Sequence, residues 1–343
     1  MRKIKVLVVE DSMLFRELLV QNLNKDDGIE VVAAARDPFE ARDMILKYQP
    51  DVMTLDIEMP RMDGIEFLQK LMPQYPLPVV MISSLSDRVF DAMNAGAVEF
   101  VAKPSVSNRK EIEEFIRTEL PVKIKIAAIA RVHRRRKNTE NINALQVQKT
   151  SGKCDLIAIG ASTGGTEATA EVLQNLHKDV PGIVVVQHMP AGFTELYANR
   201  LNERCELEVR EAKNGDIVRP GLVLLAPGGD QHMELIRQGN TYKIALKRAP
   251  KVNGHCPSVD VLFSSVAKHT NGKALGVLLT GMGGDGAKGL LEMRNAGSHT
   301  IGQDETTCVV YGMPKVAYEL GAVEYQEKLP EIAKKIYYVI NKG

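Results

Sequence analysis

Two α/β domains in tandem, each built on a mainly parallel sheet covered by helices, are what this sequence predicts. Three observations lead there. The chain has 343 residues, more than one domain of ordinary size requires. Short β-rich apolar runs alternate with helix-length amphipathic stretches, the pattern of a parallel sheet buried on both faces. The alternation breaks once, between Pro121 and Lys153, where the composition turns basic and polar.

From Ile4 to about Glu119 the order is VLVV then LFRELLVQNL, VVAAA then FEARDMILKY, VMTLD then IEFLQKLM, followed by PVVMIS and EFVAK, each with a helical partner. This predicts a five-stranded, doubly wound domain of the flavodoxin-like kind over residues 1–120. Residues 121–152 read as a linker whose first part can extend the last helix. Its basic cluster, Arg131, Arg134, Arg135, Arg136 and Lys137, reads as a solvated tether. Alternation resumes at Asp155 with LIAIG, GIVVVQ, LVLLAP, ALGVLLTG and HTIGQ, and MELIRQGNTYKIAL reads as a hairpin around Gln238-Gly239-Asn240. Residues 153–343 are therefore a second doubly wound domain, and no repeat of the first.

Composition excludes some function classes. Lysine plus arginine (44) nearly balances aspartate plus glutamate (43), which gives no general attraction to nucleic acid. No stretch approaches the roughly 18 apolar residues that cross a bilayer. The four cysteines, Cys154, Cys205, Cys256 and Cys308, lack the close pairs of a zinc or redox motif and are expected reduced and mostly buried. Together these point to the cytoplasm.

Chemistry-bearing residues gather where strands end. In the first domain Glu10 and Asp11 follow the first strand, Asp56 ends the third and Lys103 follows the fifth, and in an open parallel sheet those ends line one crevice. Hard carboxylate oxygens suit Mg2+, which neutralises a phosphoryl group arriving at Asp56, and Lys103 is placed to reach the same oxygens. In the second domain Ser162 sits in Gly160-Ala161-Ser162-Thr163-Gly164 directly after a strand, His188 follows the next one, and Asp285 lies in the glycine-rich loop after ALGVLLT. A serine, a base and an orienting carboxylate at one sheet edge can perform acyl transfer, and the glycines around Met282 let the backbone approach closely, which makes its N–H a candidate oxyanion donor. Each residue also has a plain reading: Ser162 as a turn cap, His188 as a satisfied surface residue, Asp285 as a helix N-cap. A phosphate-binding loop is the rival for the glycine turn, weakened because serine replaces the second glycine of the dinucleotide fingerprint.

The motifs VVEDS, LDIEMPRMDG and VAKP resemble the response-regulator receiver family over almost all of residues 1–120. The resemblance implies Asp56 as phosphoacceptor, Glu10, Asp11 and Asp56 as the Mg2+ site, Ser83 as switch hydroxyl, Phe100 as switch aromatic and Lys103 as phosphate partner. Glu10 stands where many receivers carry aspartate. GASTGG, QHMP, LLAPGGDQHM, CPSVDVLF and TGMGGDGAKGL look like the catalytic domain of the CheB methylesterase family. That resemblance implies Ser162 as nucleophile, His188 as base, Asp285 as orienting acid and Met282 as oxyanion donor, with no cofactor in this domain. It further implies glutamyl methyl esters of chemoreceptors as substrate, glutamine deamidation as a second activity, the chemotaxis histidine kinase CheA as phosphodonor, and an unphosphorylated receiver that obstructs the site. The competing class is a phosphorylation-controlled binding protein without catalysis. A transcriptional regulator is disfavoured by the balanced charge and the lack of a helix-turn-helix pattern. No role follows from spacing for His232 or His255, for which structural hydrogen bonding is preferred.

Overall fold

The computed structural model describes residues 2–84, 86–104, 109–132 and 154–342, which fall into two compact units, one within residues 1–138 and one within 139–343. The first unit runs β1 (Ile4–Val9), α1 (Met13–Leu23), β2 (Ile29–Ala35), α2 (Pro38–Tyr48), β3 (Val52–Asp56), α3 (Gly64–Leu71), β4 (Val79–Ser83), α4 (Arg88–Asn94), β5 (Glu99–Ala102) and α5 (Arg109–Ala128). Its strands are parallel in the order β2-β1-β3-β4-β5. Every residue of β3 and β4 is buried, the physical reason their sequences are continuous apolar runs rather than alternating ones. Helix starts are set by acceptors: Ser12 Oγ takes Phe15 N–H, Asp37 takes Phe39 and Glu40 N–H, and Asp63 takes Glu66 N–H.

The last helix of this unit continues past residue 120. Pro121 lies inside α5 and removes one helical N–H, at a typical cost of about 3 kcal/mol. Burial offsets it: Leu120, Ile124 and Ala127 are wholly buried, while Lys123 pairs with Glu99 at 3.0 Å and Lys125 with Asp26 at 2.7 Å. The helical extension thus has its own anchors on β5 and on the turn after α1. Residues 134–137 of the basic cluster, and the rest of the linker through Lys153, lie outside the described residues.

The second unit comprises β6 (Leu156–Ala161), α6 (Gly165–Gln174), β7 (Gly182–Gln187), α7 (Phe193–Arg204), β8 (Glu208–Glu211), β9 (Leu222–Leu225), β10 (Gln231–Gln238), β11 (Thr241–Arg248), α8 (Val259–Thr270), β12 (Ala274–Leu278), α9 (Ala287–Asn295), β13 (His299–Gln303), α10 (Met313–Glu319), β14 (Tyr325–Glu327) and α11 (Leu329–Lys342). Seven strands form one parallel sheet, β14-β13-β12-β6-β7-β9-β8. The expected hairpin is β10–β11, antiparallel with Gln238 opposite Thr241, and it stands apart from the large sheet. Met233, Leu235 and Ile244 of the hairpin share the core with Leu262, Phe263 and Val266 of α8, and Ser265 Oγ accepts Leu235 N–H at 2.8 Å. All four cysteines are free thiols, but only Cys308 is buried. The other three are half-buried, which corrects the expectation of a mostly buried set; they flank strands and loops rather than fill the core.

Both sheets reverse their winding direction at one point. In the first unit the chain leaves β1 for β2 on one side and returns to β3 on the other; in the second it leaves β6 toward β7 and later returns to β12. Connections diverge from the carboxyl ends of the strands at such a point, opening a crevice that side chains from either strand can line.

Candidate active site

At the β1–β3 switch point the three acids meet. Oxygens of Glu10, Asp11 and Asp56 lie within 4.8 Å of one another; Glu10 and Asp56 are buried and Asp11 is exposed. Lys103 spans the pair, its Nζ 2.5 Å from Asp56 Oδ2 and 3.0 Å from Glu10 Oε2. Burial, reinforced by the charge of Asp56, pushes the Glu10 carboxyl up to about 8 against the counter-pull of Lys103. The Lys103 ammonium is itself raised: burial opposes its charge, but the hydrogen bond to Asp56 and the Glu10 charge outweigh burial. Such a site carries more negative charge than one lysine balances, and its all-oxygen donor set fits a hard divalent cation. Ser83 ends β4, buried, with its hydroxyl donating to Ser84 O at 3.0 Å. Phe100 is only 4% exposed and packs edge-on against Phe90, centroids 6.2 Å apart.

The second crevice, at the β6–β12 switch point, gathers Ser162, His188 and Asp285. Ser162 follows β6 on a tightly held turn: its N–H donates to Thr280 O, and its carbonyl accepts from Gly165 N–H and Gln187 Nε2. His188 follows the neighbouring strand β7, its N–H bonded to Ala161 O at 3.1 Å, so the two side chains leave adjacent strand ends. The loop after β12 presses on the same turn. A Cβ added at Gly281 would come within 2.7 Å of Ser162 Cβ, so only glycine permits the approach. The next residue, Met282, is 41% exposed, and its N–H has no acceptor among the described residues.

Asp285 and His188 are in direct contact, Nε2 to Oδ2 at 2.8 Å, with both side chains buried. Asp285 is no cap for α9, whose N-cap is Gly286. Its carboxylate instead faces the start of α8, accepting Val259 N–H (2.7 Å) and Asp260 N–H (3.2 Å), Ser258 Oγ (2.7 Å) and Asn253 Nδ2 (2.9 Å). A helix N-terminus is a favourable place for an anion. Burial alone would raise this carboxyl, but the hydrogen bond and charge of His188, then Asn253 and Ser258, outweigh it and hold Asp285 below the usual carboxylate range. Since an ionised carboxylate only accepts, Nε2 of His188 carries a proton toward Asp285, so that in the neutral, base-competent form of the ring the lone pair lies on Nδ1. That Nδ1 is buried and has no hydrogen-bond partner among the described residues. The Ser162 hydroxyl makes no hydrogen bond to it in this conformation, a contact that often tightens only when substrate arrives.

Residues without a sequence-derived role also appear. His255 stacks on His188, centroids 3.7 Å apart and planes within 9°. Asp260, buried, shares Asn253 Nδ2 with Asp285 and accepts Gly289 N–H; burial, with the repulsion of Asp285, raises its carboxyl. His232 is buried and structural, as preferred from sequence: Nδ1 accepts Ser258 N–H at 3.1 Å, and Nε2 lies 3.0 Å from Pro250 O. No sequence signal of period or strand end marks Asn253, Ser258 or Asp260, which lie 25–32 positions before Asp285.

Comparison with known proteins agrees with this architecture. The family model described as CheB methylesterase matches residues 157–336, and that of the response regulator receiver domain matches residues 6–117. A protein-glutamate methylesterase/protein-glutamine glutaminase 2 of Syntrophomonas wolfei is 57% identical over 100% of this chain and 99% of its own length. A protein-glutamate methylesterase/protein-glutamine glutaminase of Syntrophotalea carbinolica is 49% identical over 99% of both. The crystal structure of the Thermotoga maritima CheB methylesterase catalytic domain is 40% identical, covers 54% of this chain and 98% of its own, and superposes with a TM-score of 0.53. Matched over its whole length by such relatives, the chain belongs to the CheB methylesterase family, with a response regulator receiver domain ahead of its methylesterase domain.

Proposed function

We propose that the chain hydrolyses glutamyl methyl esters on chemoreceptors, and deamidates their glutamines, under control of phosphorylation at Asp56. The observation that carries the catalytic reading is the His188–Asp285 pair, whose Nδ1 is buried without a partner among the described residues, at the strand end adjoining the Ser162 turn. Ser162 Oγ attacks the ester carbonyl while its proton passes to His188 Nδ1, and Asp285 stabilises the imidazolium through Nε2. The carbonyl oxygen, now negative, takes the Met282 N–H, a donor typically worth about 3 kcal/mol of barrier. His188 returns the proton to the departing methoxide, releasing methanol, or to the amide nitrogen, releasing ammonia. Water, deprotonated by the same nitrogen, then cleaves the acyl-serine to leave glutamate and regenerate Ser162.

In the receiver, Glu10, Asp11 and Asp56 are the residues that hold Mg2+, which when bound offsets the charge of an incoming phosphoryl group. Asp56 accepts the phosphoryl group from a chemotaxis histidine kinase, and Lys103, already in contact with Asp56, pairs with its oxygens. Ser83 and Phe100 relay the change, and the unphosphorylated receiver holds hydrolysis down. Among the described residues no helix is long and apolar enough to cross a membrane, which accords with action at the cytoplasmic side of receptors. The domains divide as residues 1–120, a linker over 121–152 whose first part, to Ala128, continues α5 of the receiver, and 153–343. The test is methanol release from methylated chemoreceptor membranes by the full-length protein with Mg2+, before and after acetyl phosphate. Release that rises with acetyl phosphate and vanishes in Ser162→Ala supports both halves of the reading. Unchanged release in Ser162→Ala removes the nucleophile, and no release at all favours a binding protein.

A further inference from the structure

The turn Val252–His255 lies outside the three residues of the proposed triad, yet it touches two of them. Val252 and His255 form an antiparallel bridge, each N–H donating to the other's carbonyl at 2.9–3.0 Å. The two residues between them, Asn253 (φ +53°) and Gly254 (φ +83°), are both left-handed, the conformation of a two-residue turn that Asn-Gly adopts with least strain. This tight turn throws the flanking side chains in different directions. Asn253 Nδ2 reaches Asp285 Oδ1 at 2.9 Å and Asp260 Oδ2 at 2.7 Å, a single amide group tying together two buried carboxylates. The His255 ring lies parallel to His188.

The turn is also pinned from behind. His232, projecting from β10, contacts Pro250 O on the near side of the turn and accepts Ser258 N–H on the far side. One buried imidazole thereby fixes both ends of residues 250–258, and the loop cannot drift relative to the hairpin. Ser258 then caps α8 and donates to Asp285.

We infer that the Val252–His255 turn is the positioning device of the general base, Asn253 setting the carboxylate and the His255 ring setting the imidazole plane so that Nδ1 faces the serine hydroxyl. The inference rests on Ser162, His188 and Asp285 acting as proposed above. The ring is tethered at Cγ by its own Cβ and at Nε2 by the hydrogen bond to Asp285, which leaves its plane able to swing about the line joining those two points. A flat partner at 3.7 Å removes that swing, because tilting either ring costs contact over its whole face. His255 is a positioning residue: its contact is with the base, and the proton transfers need only His188.

The experiment measures kcat and KM for methanol release by the full-length, acetyl phosphate-treated protein, with melting temperature as a fold control. His255→Ala is expected to lower kcat by about 10- to 100-fold, as for a reacting group misplaced by up to an ångström, with KM changed less than about twofold. His255→Phe, which keeps a flat ring and removes the imidazole chemistry, restores kcat to within about threefold of the unsubstituted protein. His255→Leu, which fills space without a plane, stays near the alanine value. Asn253→Gly keeps the left-handed backbone at no steric cost and deletes only the amide, and it lowers kcat by about tenfold. Unchanged kcat in His255→Ala overturns the clamp, and so does His255→Phe no better than His255→Ala, which would make the imidazole itself the requirement. Ser162→Ala and His188→Ala in the same assay separate the two levels: if they keep activity the triad reading fails, whereas if they are inert and His255→Ala is normal the clamp alone fails.

Discussion

Asp285→Asn tests the site at its most heavily bonded atom pair. The Oδ2 position receives His188 Nε2 and Val259 N–H; the Oδ1 position receives Asn253 Nδ2, Asp260 N–H and Ser258 Oγ. An amide side chain must turn its NH2 toward one of these sets. The serine hydroxyl can rotate to accept, so either orientation opposes two donors. Each buried donor left unpaired costs about 1–3 kcal/mol, and relief of the repulsion with Asp260 returns part of it. The net loss is about 2–4 kcal/mol, a melting temperature lower by roughly 5–15 °C for a domain of this size. If the NH2 faces His188, the ring proton moves to Nδ1, the nitrogen that the mechanism needs open, and kcat falls on the order of 10,000-fold, as for wrong-tautomer triads in general. The pH dependence has a definite sign. Because the folded-state value of Asp285 lies below its ordinary 3.8, its stabilisation is complete above that pH and is lost only as pH falls through the folded value. The carboxylate's own titration therefore leaves the stability deficit of Asp285→Asn unchanged from pH 5 to 8 and reduces it in stronger acid. Methanol release and thermal melting check the two effects. Wild-type kcat in Asp285→Asn, or a melting temperature unchanged by the substitution at pH 7, would refute the assignment of Asp285 as the ionised partner of His188.

Three further outcomes follow from the geometry. Gly281→Ala drives a methyl group into Ser162 Cβ and Met313 Sδ; the methionine can yield and the serine turn cannot, so kcat is expected to fall at least about tenfold, and an unchanged kcat would show the turn to be pliable. Asp56→Asn is expected to abolish the rise in methanol release on adding acetyl phosphate, measured as the ratio with and without phosphodonor; a persisting rise would place the phosphoacceptor elsewhere. Glu10 has a folded-state value of about 8 against an ordinary 4.5, so protonation favours the folded receiver, and that contribution is lost as pH rises from about 4.5 to 8. Mg2+, competing for the same oxygens, should raise the melting temperature more at pH 8 than at pH 5.5, whereas an equal rise at both values would argue against Glu10 as a ligand.

Much of the fold was legible because its strands are buried on both faces: VMTLD, VVMIS and LIAIGA admit few readings other than central parallel strands. Two edge strands escaped. Glu208–Glu211 is EVRE, three of its four residues charged because one side meets solvent, and Tyr325–Glu327 has three residues, too few to show a period. The triad residues were visible for a topological reason, each standing just beyond a strand or in the loop after one. The residues that hold them were not. Asn253, Ser258 and Asp260 act from a loop and a helix start whose place beneath Asp285 depends on how α8 packs across β6 and β12, and tertiary placement leaves no local pattern. His255 was noticed without a role because stacking is a relation between two rings, and spacing in sequence is silent on it.

The passage of α5 through Pro121 bears on how this molecule can be dissected. A receiver fragment ended at residue 120, where the apolar period fades, would delete Ile124 and Ala127 from the core and strip Glu99 and Asp26 of Lys123 and Lys125. Glu99 adjoins Phe100 in β5, so the loss would fall beside the aromatic assigned to the phosphorylation switch. Such a truncated piece would misreport both the stability and the signalling of the intact receiver, while one ended after Ala128 would keep every one of these contacts.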